Sequence, residues 1–131
     1  MNTNILMASS ALFMGVMGLA GTFLPQEVLR AAGLPSAGLH TVFIQILAAL
    51  LLAFAITNWT AKDSLIGGIY NRPVALGNMM HFVVGAITLG KDVVSGERAV
   101  WLLVITTLYV AFAAGFIVIV FGSPVKPASE T

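Results

Sequence analysis

Ile46-Leu47-Ala48-Ala49-Leu50-Leu51-Leu52-Ala53-Phe54-Ala55-Ile56 contains no polar side chain. A strand lining a membrane barrel would alternate apolar and polar residues, and this run does not alternate. A helix needs no such alternation, because its backbone groups bond within the segment and can be stripped of water. Working outward, no Asp, Glu, Lys or Arg occurs between Arg30 and Lys62. That uncharged interval exceeds the roughly 20 helical residues that cross a hydrocarbon layer of about 30 Å.

The remaining acids and bases divide the rest of the chain in the same way. They stand at Glu27, Arg30, Lys62, Asp63, Arg72, Lys91, Asp92, Glu97, Arg98, Lys126 and Glu130. Four uncharged stretches lie between them, predicting spans near 4–24, 39–59, 74–90 and 99–121. The expected fold is all-α: a polytopic membrane protein, a four-transmembrane-helix bundle with a short interfacial segment after the first helix. Residues 1–131 form one integral membrane domain in this reading, with a flexible tail over 122–131.

Composition agrees. Of 131 residues, 59% are apolar and only 8% charged, whereas a soluble domain carries about 25% charged residues. Mean hydropathy is +1.00. A soluble enzyme and a disordered tail are excluded, and a net charge of +1 gives no field for nucleic acid. The absence of cysteine removes disulfides, thiolate nucleophiles and cysteine metal sites.

The first span resembles a signal peptide, with Gly18-Leu19-Ala20 as a cleavage-like site. It lacks the basic residue of a typical leader and is read as a retained helix. Pro25 opens the interfacial segment, Glu27 lies in its first turn and Gly33 is its expected C-cap. Val28, Leu29 and Ala32 are expected to face lipid there, with Arg30 at the headgroups. Gly67-Gly68 marks a bend, Asn71 is the expected N-cap of the third span, and Pro73 sits in its first turn. The residues from Lys91 to Arg98 read as a polar turn around Ser95-Gly96.

Aromatic residues fall near both boundaries: Trp59, Tyr70 and Phe121 toward one face, Phe23, Phe43 and Trp101 toward the other. Basic residues are divided three against three. Both termini are assigned inside only because even-numbered bundles with short N-terminal tails usually sit so. The expected location is the bacterial inner membrane.

Polar residues inside the spans are the candidate chemistry. Asn71, Asn78, His81, Gly85, Thr88 and Asp92 recur at helical spacing and form one stripe of the third span. His81 is deep enough to require an inward partner, which makes it a functional candidate. The plainer reading is a neutral histidine that fixes packing through an interhelical hydrogen bond. Antiparallel depth matching brings Gln45 and Tyr109 toward it, so His81, Asn78, Gln45 and Tyr109 form a candidate ligand-binding set. Thr57, Asn58, Ser9 and Ser10 approach the membrane face nearest Asn78, whereas Thr106 and Thr107 enter from the opposite one.

Arg72, with Tyr70 and Asn71 at a helix start, is a candidate cradle for a lipid headgroup; an ordinary snorkelling arginine is the plainer alternative. Small residues at Ala11, Gly15, Gly18 and Gly21, at Ala49 and Ala53, and at Ala111 and Gly115 permit close helix approach. They serve packing within the bundle or a seam between copies, and a bundle this thin favours an oligomer. The methionines fill packing gaps.

Several activities lack their residues. No carboxylate lies inside a span, as a proton-coupled exporter would require. His40 and His81 differ in depth, which disfavours bis-histidine haem ligation. No metal site, phosphate loop, nucleophile elbow or metalloprotease motif is present, and no catalytic residue is assigned.

The segment Gly67-Gly68-Ile69-Tyr70-Asn71-Arg72-Pro73-Val74-Ala75-Leu76-Gly77-Asn78-Met79-Met80-His81-Phe82, together with Gln45 and Asn58-Trp59, resembles small four-helix bacterial membrane proteins of unassigned activity. They are loosely akin to the DoxX-like and DUF4345-like bundles. That resemblance implies the four-helix fold and the bacterial membrane, and some DoxX-type proteins are associated with quinone chemistry. No catalytic residue carries over.

The combined expectation is a non-enzymatic oligomeric or accessory subunit, in contact with membrane lipids and with a site for lipid or an apolar ligand near Arg72 and His81. A quinone-linked redox subunit, with quinone as cofactor, is the alternative. A small-solute pore built by an oligomer is the third reading.

Overall fold

The computed structural model describes residues 3–64, 71–96 and 99–122. The expectations placed on Gly67-Gly68, Tyr70, Glu97, Arg98 and the tail beyond Gly122 lie outside the described residues. The chain is all-helical among those described: α1 (Thr3–Phe23), α2 (Pro25–Ala31), α3 (Leu39–Ala61), α4 (Arg72–Val94) and α5 (Val100–Gly122). Four of the five, α1, α3, α4 and α5, are long and apolar enough to cross a membrane. At about 1.5 Å per residue, 21 to 23 residues give roughly 32–35 Å, which exceeds a hydrocarbon layer of about 30 Å.

The chain divides into two compact units, Met7–Asp63 and a second formed by Met1–Leu6 with Ser64–Thr131. In the first, α1 and α3 run antiparallel and approach closely because α1 offers glycines. A Cβ on Gly18 would lie 2.7 Å from the Leu52 Cγ and 3.0 Å from the Ala48 carbonyl oxygen. One on Gly21 would lie 2.8 Å from the Ala48 Cβ, whereas one on Gly15 would make an ordinary 3.6 Å contact with Ala55. The small residues of α3 that meet α1 are therefore Ala48 and Ala55. Ala49 and Ala53, expected to form a small-residue pair, are exposed, because a shift of one residue turns a helix by about 100°.

α2 ends as the sequence predicts. Gly33 has φ +71°, its N–H donates to the Arg30 carbonyl, and the Leu34 N–H donates to the Leu29 carbonyl. This paired closure is the Schellman motif, and it requires the left-handed residue that glycine supplies. Leu29 is buried, which corrects its expected lipid-facing position: on so short a helix, Leu29 is the side chain that anchors the segment to the protein.

Two boundaries of α4 also differ from expectation. Asn71 occupies the N-cap position but makes no side-chain capping bond. Pro73 falls at the second helical position and has no N–H there, which removes one of the two amides an Asn cap can reach. At the other end α4 continues through Lys91 and Asp92 to Val94. A lysine in the last turn suits the negative end of the helix, so Lys91 and Asp92 belong to α4 rather than to the turn, whose described residues include Ser95 and Gly96, with Gly96 at φ +111°.

Candidate functional site

The unit that contains α4 and α5 has an aromatic core. Phe82 is fully buried and packs on Phe112 with ring centres 4.8 Å apart, on Phe116 at 5.7 Å and edge-on to Tyr109 at 5.3 Å. Such ring pairs contribute about 0.5–1.5 kcal/mol beyond the area they cover. Phe82 thereby locks the rotation of α4 against α5 and sets which side chains come next to one another.

His81 is the neighbour so placed. Its Nε2 lies 3.1 Å from the Tyr109 hydroxyl, and its ring centre is 5.2 Å from Phe82 and 5.5 Å from Tyr109. Both His81 and Tyr109 are half-buried, so the pair keeps an accessible side. His81 is nine residues past the start of α4, about 13 Å along its axis at 1.5 Å per residue. Tyr109 stands near the middle of α5. The expected meeting of these two groups, each near the middle of its helix, is what the structure contains.

Gly85 makes the meeting possible. It lies one turn beyond His81 on α4, and a Cβ there would overlap the Tyr109 ring. The ring rests where a side chain would otherwise stand, and its hydroxyl reaches back to His81. Gly115 plays a similar part on α5, where a Cβ would come 2.8 Å from a methyl of Leu6.

Asn78, one turn before His81, is fully buried and its Nδ2 donates to the Val74 carbonyl at 2.9 Å. The stripe leaves the interior after Gly85. Thr88 is exposed and its hydroxyl donates to Val84 within its own helix, while Asp92 is exposed near the end of α4. Thr106 and Thr107 likewise donate to Leu102 and Leu103 of α5. A helix carbonyl four residues back is within reach of each of these hydroxyls, which satisfies them without a partner helix.

Gln45 belongs to the other unit and is exposed on α3. His40 is also exposed. Arg72 is exposed at the first position of α4 and Asn71 beside it is half-buried.

A second buried polar cluster lies in the unit of α1 and α3. Asn58 Nδ2 donates to the Ser10 hydroxyl at 3.0 Å and approaches the Met14 sulfur at 3.9 Å. The Ser10 hydroxyl in turn donates to the Met7 carbonyl at 2.9 Å. Ser10, Asn58, Met7 and Met14 are all fully buried. Depth matching brings Ser10 and Asn58 to the same membrane face, but only their rotation about the helix axes joins them. Compared with protein-family models, curated proteins and solved structures, the chain matches none significantly.

Proposed function

We propose that the protein is a membrane-embedded accessory subunit that holds an apolar molecule by one polar group against His81 and Tyr109. The observation that carries this reading is the His81–Tyr109 hydrogen bond of 3.1 Å, half-buried near mid-depth in a helix pair of membrane length. A polar pair at that depth is costly to desolvate and marks binding or transport positions in membrane proteins. The imidazole and the phenol offer donor and acceptor atoms, and the Phe82 ring beside them supplies an apolar flank. A ligand carbonyl or hydroxyl suits such a pair, and its hydrocarbon remainder can stay in the bilayer.

A quinone is the specific alternative. It presents two carbonyls on a flat ring, which fits an aromatic surface with hydrogen-bonding groups at its edge. In that reading the protein is a quinone-linked redox subunit. A pore would need an oligomer with the stripe of Asn78, His81 and Thr88 facing its axis, whereas Asn78 is fully buried within the chain.

Self-association belongs to the proposal. Gln45, Ala49, Ala53 and Thr57 recur every four residues along α3 and are all exposed. Small residues at that spacing let two helices approach, and an amide at membrane depth gains from a partner across the seam.

Mass spectrometry of the purified protein tests the ligand claim, first native and then after solvent extraction. The wild type is expected to retain a small apolar molecule that His81→Leu releases while the helical circular dichroism is unchanged. Identical small-molecule content in the two proteins contradicts the site. If the molecule that His81→Leu releases is a quinone, the redox reading is selected, and if it lacks a quinone ring that reading is removed.

A further inference from the structure

An open groove of about 360 Å³ runs along the α1–α3 pair. Its floor is built from small, inward residues: Ala11 and Ala55 are buried and Gly15 is half-buried between them. Its walls are the exposed side chains of Leu12 and Val16 on α1 and Ile56 and Trp59 on α3. The volume is within the range of about 300–1,000 Å³ common to small-molecule sites. The one hydroxyl on the lining, that of Thr60, donates to carbonyls of its own helix. Nothing along the groove asks for a polar ligand.

The lining on α3 extends from Leu52 to Thr60, about 12 Å at 1.5 Å per residue. One hydrocarbon chain lying along the helices fits that shape. At the Trp59 end the character changes. The Lys62 ammonium stands 4.9 Å above the Trp59 ring, and its Nζ lies 2.9 Å from the Asp63 carboxylate. A cation and an anion side by side thus stand at the Trp59 end of the apolar channel.

We propose that this groove binds the acyl chain of a zwitterionic phospholipid with a phosphoethanolamine headgroup. The lipid phosphate pairs with Lys62 and its ammonium with Asp63, while Trp59 marks the level of the interface. The charge order of the protein pair complements that headgroup, whereas a purely anionic headgroup meets repulsion from Asp63. Charge-assisted hydrogen bonds are the strong class, so the headgroup preference is expected to be measurable. The site is separate from the pair at His81, and neither proposal depends on the other.

The test uses the full chain in equimolar vesicles of dioleoyl phosphatidylethanolamine and dioleoyl phosphatidylglycerol, followed by native mass spectrometry of the released protein. The wild type is expected to keep one phosphatidylethanolamine per chain, in preference to phosphatidylglycerol by on the order of ten-fold. Asp63→Asn is expected to abolish that preference. Val16→Trp and Ile56→Trp fill the groove from opposite walls at exposed positions, and each is expected to lower retention of both lipids. Val84→Trp, at an exposed position of α4, is the control and is expected to keep the bound lipid. Equal retention of the two lipids by the wild type overturns the headgroup assignment. Unchanged retention in both groove-filling variants overturns the site, as does a dimer of wild-type chains carrying no lipid.

Discussion

The Tyr109 ring occupies the space that a side chain on Gly85 would need. That single relationship explains why α4 carries a glycine one turn after His81, and it fixes the hydroxyl within hydrogen-bonding distance of the imidazole. A conformationally permissive residue is not required there, since Gly85 lies within a regular helix. Space is what the position must provide.

Gly85→Ala is therefore expected to push the ring away and destabilise the helix pair by about 1–3 kcal/mol, the usual cost of overpacking. Thermal unfolding in detergent measures it. Combining Gly85→Ala with Tyr109→Ala should cost less than the sum of the two single changes, because the clash disappears with the ring. Strict additivity would show that the two residues do not meet.

Tyr109→Phe keeps the ring stack on Phe82 and removes only the hydroxyl. Interhelical hydrogen bonds in membranes contribute roughly 0.6–2 kcal/mol, so a loss in that range is expected. Adding Tyr109→Phe to His81→Leu should bring little further loss, since the first change already removes the bond. A nitrogen-15 resonance of the His81 ring that shifts on Tyr109→Phe supplies an independent reading of the same contact.

Asn58 and Ser10 are a buried unit of another kind, in which the Asn58 amide nitrogen and the Ser10 hydroxyl form a short relay toward the Met7 carbonyl. Ser10→Ala leaves the Asn58 amide without that acceptor inside the protein, which costs about 1–3 kcal/mol. Ser10→Ala with Asn58→Leu removes both partners and is expected to be less harmful than Ser10→Ala with Asn58 intact. Denaturation of the three variants side by side decides it.

The glycines of α1 should differ among themselves. Gly15→Ala meets Ala55 at ordinary contact distance and is expected to change stability by less than about 0.5 kcal/mol. Gly18→Ala drives a methyl against the Ala48 carbonyl oxygen, which belongs to the backbone and yields little. A loss of about 1–3 kcal/mol is expected, with a wider α1–α3 separation measurable between spin labels on the two helices.

How much of this was legible in the sequence depends on what each feature requires. Spans follow from charge placement, because a charged side chain within hydrocarbon is expensive anywhere along a helix. His81 and Tyr109 were also legible, since antiparallel helices of equal length match their middles. Rotation was not. α3 is apolar on nearly every side, so no amphipathic stripe tells Ala48 from Ala49 as the residue facing α1. The same ambiguity applies to Gln45, whose side chain is exposed on α3. Ser10 and Asn58 were seen at one level but not as a pair, because hydroxyl and amide groups satisfied by a relay leave no mark of their own in sequence. Asn71 makes no capping bond for a local reason that Pro73 announces: one of the two amides within its reach is absent.

The most direct measurement is photolabelling of the protein in bilayers with an azido-quinone, followed by mapping of the modified peptides. The quinone reading predicts label on residues flanking His81 in α4 and Tyr109 in α5, suppressed by excess unlabelled quinone and lost in His81→Leu. Label spread over the exposed faces of all four long helices, with no competition and no response to that substitution, would contradict a quinone site at this pair.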